Sequence, residues 1–281
     1  MCSSDLHRLA SASIVECLAH HADSQPDALC LADHKRSLTY SQAWERICGF
    51  AEHVRAQGVC EGACVAIECN QGIEYLVGVL AIQLAGCVAV PIEKNAAVAR
   101  QLEIVAETCS ELYIGKTALE GMEQVAFSDI ASVCDYSKTA SCERVAFPAG
   151  EDTAELLFST GTTGKSKGIV ITHRNNMAIA ENIIGGVEMG PTGAEAIPMP
   201  LSHSHGLRTA YANIACGRAV LVVDGVLALK RLFNIMDDYH ATAQGARAHH
   251  HADQAHGRGA EHVPDQHWNQ VLLYPFGCGN P

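Results

Sequence analysis

The sequence is short of positive charge: 19 Lys and Arg stand against 31 Asp and Glu, a formal net charge of -12. That balance argues against a nucleic-acid partner, because phosphate backbones recruit Lys and Arg. It leaves a nucleotide ligand open, since a few local donors and one or two lysines suffice for that. Paired cysteines are also missing. The 13 cysteines are scattered singly, with no C-x-x-C. The nearest group, Cys60, Cys64 and Cys69, lacks both zinc-site spacing and a histidine at a familiar interval. No metal site is predicted, and the thiols read as free and buried or half-buried, as in a reducing cytosol. A secretory signal is not visible either, because Asp5, Glu16 and several histidines interrupt any apolar core near the start. The longest apolar run, Tyr75–Ile92, is divided by Gly86 and Pro91 and ends in β-branched residues. It predicts a buried helix followed by a short strand rather than a membrane span, so a soluble, cytoplasmic protein is expected.

What is present is a mixed α/β pattern. With 281 residues, 48% of them hydrophobic, the chain can bury a sizeable core. Cys64–Glu68 and Cys87–Ile92 are short, continuous apolar runs, the signature of parallel strands covered on both faces. Helices are predicted over Ala43–Gln57, Ile73–Leu84, Asn95–Thr108, Asn175–Val187 and Leu227–Tyr239, the fourth capped by the polar run His173–Asn176. Further strands are predicted at Glu111–Ile114, Gln124–Phe127, Glu155–Ser159, Gly168–Thr172, Ala194–Met199 and Arg218–Val223. From Ala243 to Gln270 the rhythm stops. Val263 is the only large aliphatic residue there, and histidines recur at 249, 250, 251, 256, 262 and 267. This stretch reads as a metal-binding tract, a solvated tail, or a continuation in the wrong reading frame. The last reading accounts for a pattern that ends mid-domain.

The densest chemical signal is Leu156–Gly168, LLFSTGTTGKSKG. Ser159, Thr160, Thr162, Thr163 and Ser166 supply hydroxyls, while Gly161 and Gly164 let the backbone turn tightly. Such a loop can aim successive N–H groups and hydroxyls at a triphosphate, with Lys165 and Lys167 adding charge. Gly164-Lys165-Ser166 fits the end of a Walker A motif, but that loop must open a helix. Here a β-branched run, Gly168–Thr172, follows, so the context is strand–loop–strand.

Ser159–Gly168 resembles the phosphate loop of the adenylate-forming enzymes, the family of acyl-CoA synthetases, aryl-CoA ligases, luciferases and peptide-synthetase adenylation domains. It matches their signature except for Ser166 in place of the usual Pro. Leu38-Thr39-Tyr40, Leu84–Ile92 and Pro200–Leu207 (PLSHSHGL) resemble further segments of that family, and the likeness covers about residues 10–242. The resemblance implies an α/β fold with layered helices around two mostly parallel sheets, incomplete at its C-terminal end. It implies a first subdomain over roughly 10–190, the start of a second over 191–242, an atypical tail at 243–281, and no C-terminal lid domain.

The resemblance also implies a reaction. ATP with Mg²⁺ activates a small carboxylic acid as an acyl-adenylate, and a thiol such as coenzyme A then displaces AMP. The phosphates would be held by Ser159, Thr160, Gly161, Thr162, Thr163, Gly164, Lys165, Lys167 and Gly168. His203 matches the family's catalytic-pocket residue, and His205, two residues on, could share or exchange that role. Family members carry further along an acidic Mg²⁺ holder, an Asp for the ribose, and a mobile domain with a catalytic Lys. No match to these is found here, so this polypeptide is expected to be weakly active or inactive. The alternative is a non-catalytic phosphate-binding or interaction module. The acid is not legible; acyl, aryl and amino acids remain open, with a fatty or other simple carboxylic acid favoured by PLSHSHGL.

Overall fold

The fold comes from a computed structural model, which describes residues 11–116, 118–132, 146–159, 167–224, 229–241 and 243–244. It has two sheets and five layers. The six-stranded sheet contains β3 (Cys64–Glu68), β4 (Val88–Ile92), β5 (Leu112–Ile114), β6 (Gln124–Val125), β7 (Thr153–Ser159) and β8 (Lys167–Thr172), in the order β6-β5-β3-β4-β7-β8. Every pair in it is parallel except the β7–β8 hairpin. The five-stranded sheet contains β1 (Leu29–Ala32), β2 (Ser37–Thr39), β9 (Ala194–Ile197), β10 (Ala219–Val222) and β11 (Ala243–Gln244), in the order β11-β9-β10-β1-β2. Only its β1–β2 pair is antiparallel. The early strands β1 and β2 thus belong to the same sheet as the late ones, and the two sheets interleave along the chain.

Between the sheets lie α1 (Ile14–Ser24), α2 (Tyr40–Ala56), α3 (Ile73–Leu84), α6 (His173–Gly186) and α7 (Ser204–Ala215). Their apolar faces form one core with the inward residues of both sheets, among them Val65, Ile67, Val220 and Val222. The alternate strand residues face outward, as the strand period of two requires. Ala66 and Val90 meet Ile104 and Val105 of α4 (Val98–Thr108). Leu221 and Val223 meet Leu232, Ile235 and Met236 of α8 (Leu229–Asp238). α3 is buried along nearly its whole surface, which is why its sequence is apolar without a polar face. No helix among the described residues is long and apolar enough to cross a membrane.

Several boundaries differ from expectation for local reasons. α2 starts at Tyr40, three residues early, because Thr39 and Gln42 form a reciprocal capping box. α6 starts at His173, because Thr172 is the cap and Asn175 returns its bond to the Thr172 N–H at 3.0 Å. The polar run His173–Asn176 is therefore the first turn and not the cap. The strand expected to reach Phe127 stops at Val125, and Phe127 opens α5 (Phe127–Ser132). α1 and β1 were not anticipated. The first is announced by Ser13, whose hydroxyl accepts from Glu16 N–H at 3.2 Å. Cys60 and Cys109 are exposed, unlike the buried or half-buried thiols expected.

Candidate functional site

In an open parallel sheet, ligands collect beyond the carboxyl ends of the strands, where loops leave and helix N-termini arrive. Here β4 and β7 run parallel, with Ala89 opposite Glu155, so the end of β7 and the residues after β4 share one edge. At that edge β7 and β8 form a hairpin whose last pair is Ser159 with Lys167, preceded by Phe158 with Gly168. The strand–loop–strand context is therefore what the fold provides, and Gly168–Thr172 is strand and not helix. This removes the Walker reading. Thr160, Gly161, Thr162, Thr163, Gly164 and Lys165 lie outside the described residues, as does Ser166. Ser159 and Lys167 are placed by their backbones as the two ends of the loop.

His203 arrives at the same edge from the other sheet. It follows β9 as the N-cap of α7 and puts its Nε2 4.0 Å from Glu93 Oε1, just beyond β4. Its side chain is 53% exposed. The side chain of the N-cap residue, His203, makes no cap hydrogen bond to α7. His205 is half-buried in the first turn, with its carbonyl accepting the Thr209 hydroxyl at 2.9 Å. The glycine of PLSHSHGL has a steric reason. A Cβ on Gly206 would overlap the Pro200 carbonyl, so only glycine lets the helix start this close to the preceding loop.

Beside His203 a second pair joins the sheets: Lys94 Nζ meets Asp224 Oδ2 at 2.6 Å, linking the residues after β4 to those after β10. Sequence reasoning did not single out Glu93, Lys94 or Asp224. Their position directly after apolar strands was the available signal.

Beneath the edge lies a buried polar cluster. Glu155, in the middle of β7, has no exposed surface. Its Oε1 accepts from Tyr211 OH at 2.5 Å, Gln83 Nε2 at 3.0 Å and Asn176 Nδ2 at 3.3 Å, and its Oε2 accepts from Arg208 Nη2 at 2.7 Å. Burial works against the Arg208 charge, but the Glu155 carboxylate more than offsets it, so the guanidinium is held above its ordinary value. The cluster ties α3, α6 and α7 to the strand that ends at Ser159. It fixes α7, and His203 at its start, relative to Ser159. Nearby His173 is buried, and desolvation lowers its pKa although Glu155 and Asp152 pull the other way. Among the described residues no three His, Cys, Asp or Glu side chains assemble to hold a metal ion.

The AMP-binding enzyme family model matches residues 18–246. Its end lies close to Thr242, where the helix–strand rhythm of the sequence stops. Among curated relatives, the chain is 25% identical over 259 residues to the probable CoA ligase CCL5 of Humulus lupulus, covering 84% of this chain and 46% of that protein. It is 26% identical over 167 residues to surfactin synthase subunit 1 of Bacillus subtilis, covering 58% of this chain and 5% of that one. The chain thus spans less than half the length of either. Among solved structures, the fatty acid AMP ligase of Legionella pneumophila superposes with a TM-score of 0.75 at 19% identity, over 87% of this chain and 46% of that one. The two mostly parallel sheets with their helix layers match the N-terminal domain of adenylate-forming enzymes, and the chain belongs to the AMP-binding enzyme family.

Proposed function

We propose that this chain carries the phosphate-gripping and acid-aligning half of an enzyme that activates a small carboxylic acid with ATP and passes the acyl group to a thiol. The observation that supports this most is the hydroxyl- and lysine-rich segment Ser159–Gly168 spanning a β-hairpin at the edge where His203 stands. In the first step a carboxylate oxygen attacks the α-phosphorus of ATP. The bond to the β-phosphate breaks, and pyrophosphate leaves with the electron pair. In the second, a thiol sulfur attacks the acyl carbon and AMP leaves. Thr160–Thr163, Gly164 and Lys167 would hold the β- and γ-phosphates. His203 would stand beside the carboxylate and the α-phosphate. The start of α7, to which the His203 side chain makes no cap bond, would add N–H donors where negative charge collects. The family uses ATP and typically Mg²⁺; the thiol is coenzyme A or that of a carrier protein, since the relatives include both CoA ligases and peptide synthetases.

The second reading, a non-catalytic phosphate-binding or interaction module, rests on the family match stopping at residue 246, where a histidine-rich stretch without regular period begins. ATP–pyrophosphate exchange over a panel of fatty, aryl and amino acids, combined with pyrophosphate binding, separates the two. Weak acid-dependent exchange is the expected outcome and puts activation within these 281 residues. Saturable pyrophosphate binding without exchange favours the module. A folded chain with neither overturns the assignment of Ser159–Gly168 as a phosphate grip.

A further inference from the structure

Beyond β3 the chain makes an unusual turn. Gln71 adopts a left-handed backbone (φ 51°), a conformation in which glutamine is uncommon, and is nonetheless buried. Its side chain satisfies three backbone groups from two other segments. Nε2 donates to Met199 O at 2.8 Å and to Val223 O at 3.2 Å, while Oε1 accepts from Leu201 N–H at 2.9 Å. The two carbonyls and the one N–H fix which end of the amide is which. Gln71 therefore joins the ends of β3, β9 and β10 across both sheets and holds Met199 and Leu201, on either side of Pro200. That loop then closes with His203 N–H donating to Pro200 O at 3.2 Å. Cys69, two residues earlier, places its thiol 3.7 Å from Gln71 Oε1.

His203 itself has a half-exposed ring with one 4.0 Å approach to Glu93. The loop that carries it is fixed from below, by one side chain whose three bonds all end on main chain. We infer that Gln71 is a positioning residue for His203: it sets the height and orientation of the Pro200–His203 loop above the phosphate-loop edge. The inference takes its functional meaning from the ligase reading, but its physical content does not depend on it.

The test compares the wild-type chain with Gln71→Gly, which suits the left-handed backbone and deletes only the clasp. Gln71→Asn, equally compatible with that backbone but one methylene shorter, serves if the first fails to fold. Two readouts are followed by NMR at fixed pH: hydrogen exchange of the Leu201 amide and the ring C–H resonances of His203, with His53 on α2 as an internal reference. The expected result is at least tenfold faster exchange at Leu201 together with displaced or broadened His203 signals, while those of His53 stay put. Loss of Leu201 protection with unmoved His203 signals makes Gln71 merely structural and overturns the proposal. Unchanged exchange overturns it as well. Where exchange of pyrophosphate is measurable, kcat per folded molecule should fall while the KM for ATP stays within about twofold, the pattern of an interaction lost in the transition state. Absence of exchange in the wild type bears on the ligase reading, whereas the position of His203 is read without any substrate.

Discussion

Two ion pairs of almost equal length join elements across the site, and they differ in nearly everything else. Lys94–Asp224 at 2.6 Å stands at the open edge with side chains 38% and 42% exposed, whereas Arg208–Glu155 at 2.7 Å lies in the core at 3% and 0%. Distance alone would rank them alike. Water decides otherwise, since an exposed pair trades solvent contacts for a screened attraction, and a buried pair has no solvent to fall back on. On the proposed reading, His203 stands at the wet edge and the pair that anchors its helix lies in the dry layer beneath. The charges of that edge, Lys94 and Asp224, remain partly in water.

The largest effect is expected where the dry side is broken. Arg208→Ala leaves Glu155 with Tyr211, Gln83 and Asn176 but without a counter-charge. Removing one partner of a buried pair costs about 3–5 kcal/mol. Urea denaturation should show that loss, and a change below about 1 kcal/mol would break the distinction drawn between core and edge. Arg208→Met together with Glu155→Gln should recover part of it, because no net charge is then left buried.

The wet side should behave in the opposite way. His203→Ala is expected to leave unfolding within about 0.5 kcal/mol of wild type, as substitutions away from packed features do. Acid-dependent pyrophosphate exchange should fall about tenfold to a hundredfold, the scale of one lost stabilising donor. A destabilisation like that of Arg208→Ala would show that His203 belongs to the scaffold and not to the edge.

How much of this was legible in the sequence follows the same division. Strands such as Cys64–Glu68 and Val88–Ile92 announced themselves as unbroken apolar runs, and the helix of Ile73–Leu84 by length and composition. His203 and the Ser159–Gly168 loop were singled out because they lie in local, contiguous motifs. β1 escaped, having four residues and a partner, β10, whose pairing joins Leu31 to Val220. Glu155 looked like one polar residue in a strand, and Gln83 like one polar residue in an apolar helix. Only the fold reveals that they bond each other from 72 positions apart. Gln71 is harder still, since its partners Met199 and Val223 lie 128 and 152 residues away. Local period reports which face a residue takes, not which distant backbone group it meets.

Acidity sharpens the comparison from a third side. Burial holds His173 neutral by pushing its pKa below the ordinary value, and half-buried His21 is lowered for the same reason. As pH falls through about 6.5 the unfolded chain gains protons there that the folded chain refuses. Stability is thus complete above that pH and declines below it, by at most about 1.4 kcal/mol per pH unit for each such group, until the folded imidazole also protonates. Denaturation midpoints at pH 7.5, 6.5 and 5.5 should fall in that order, and His173→Gln should flatten the trend to the share left by His21. A rise in stability on acidification would contradict the buried neutral imidazole.

The smallest effect is predicted for the exposed pair, and its smallness is the point. Lys94→Ala removes a 2.6 Å contact that bridges both sheets, so a count of bridges would make it important. Its two side chains keep more than a third of their surface in water, which restores most of their solvation when the pair opens. The loss should lie between about 0 and 1 kcal/mol. Salt should shrink it further, because exposed charges are screened within about 10 Å at 0.1 M ionic strength. Measuring Lys94→Ala and Arg208→Ala at low and high salt therefore separates the two regions by sensitivity as well as by size. The first difference should fade with added salt and the second persist. If Lys94→Ala proved as costly as Arg208→Ala and equally indifferent to salt, the edge would be a structural clamp between the sheets, and a ligand arriving there would have to displace it.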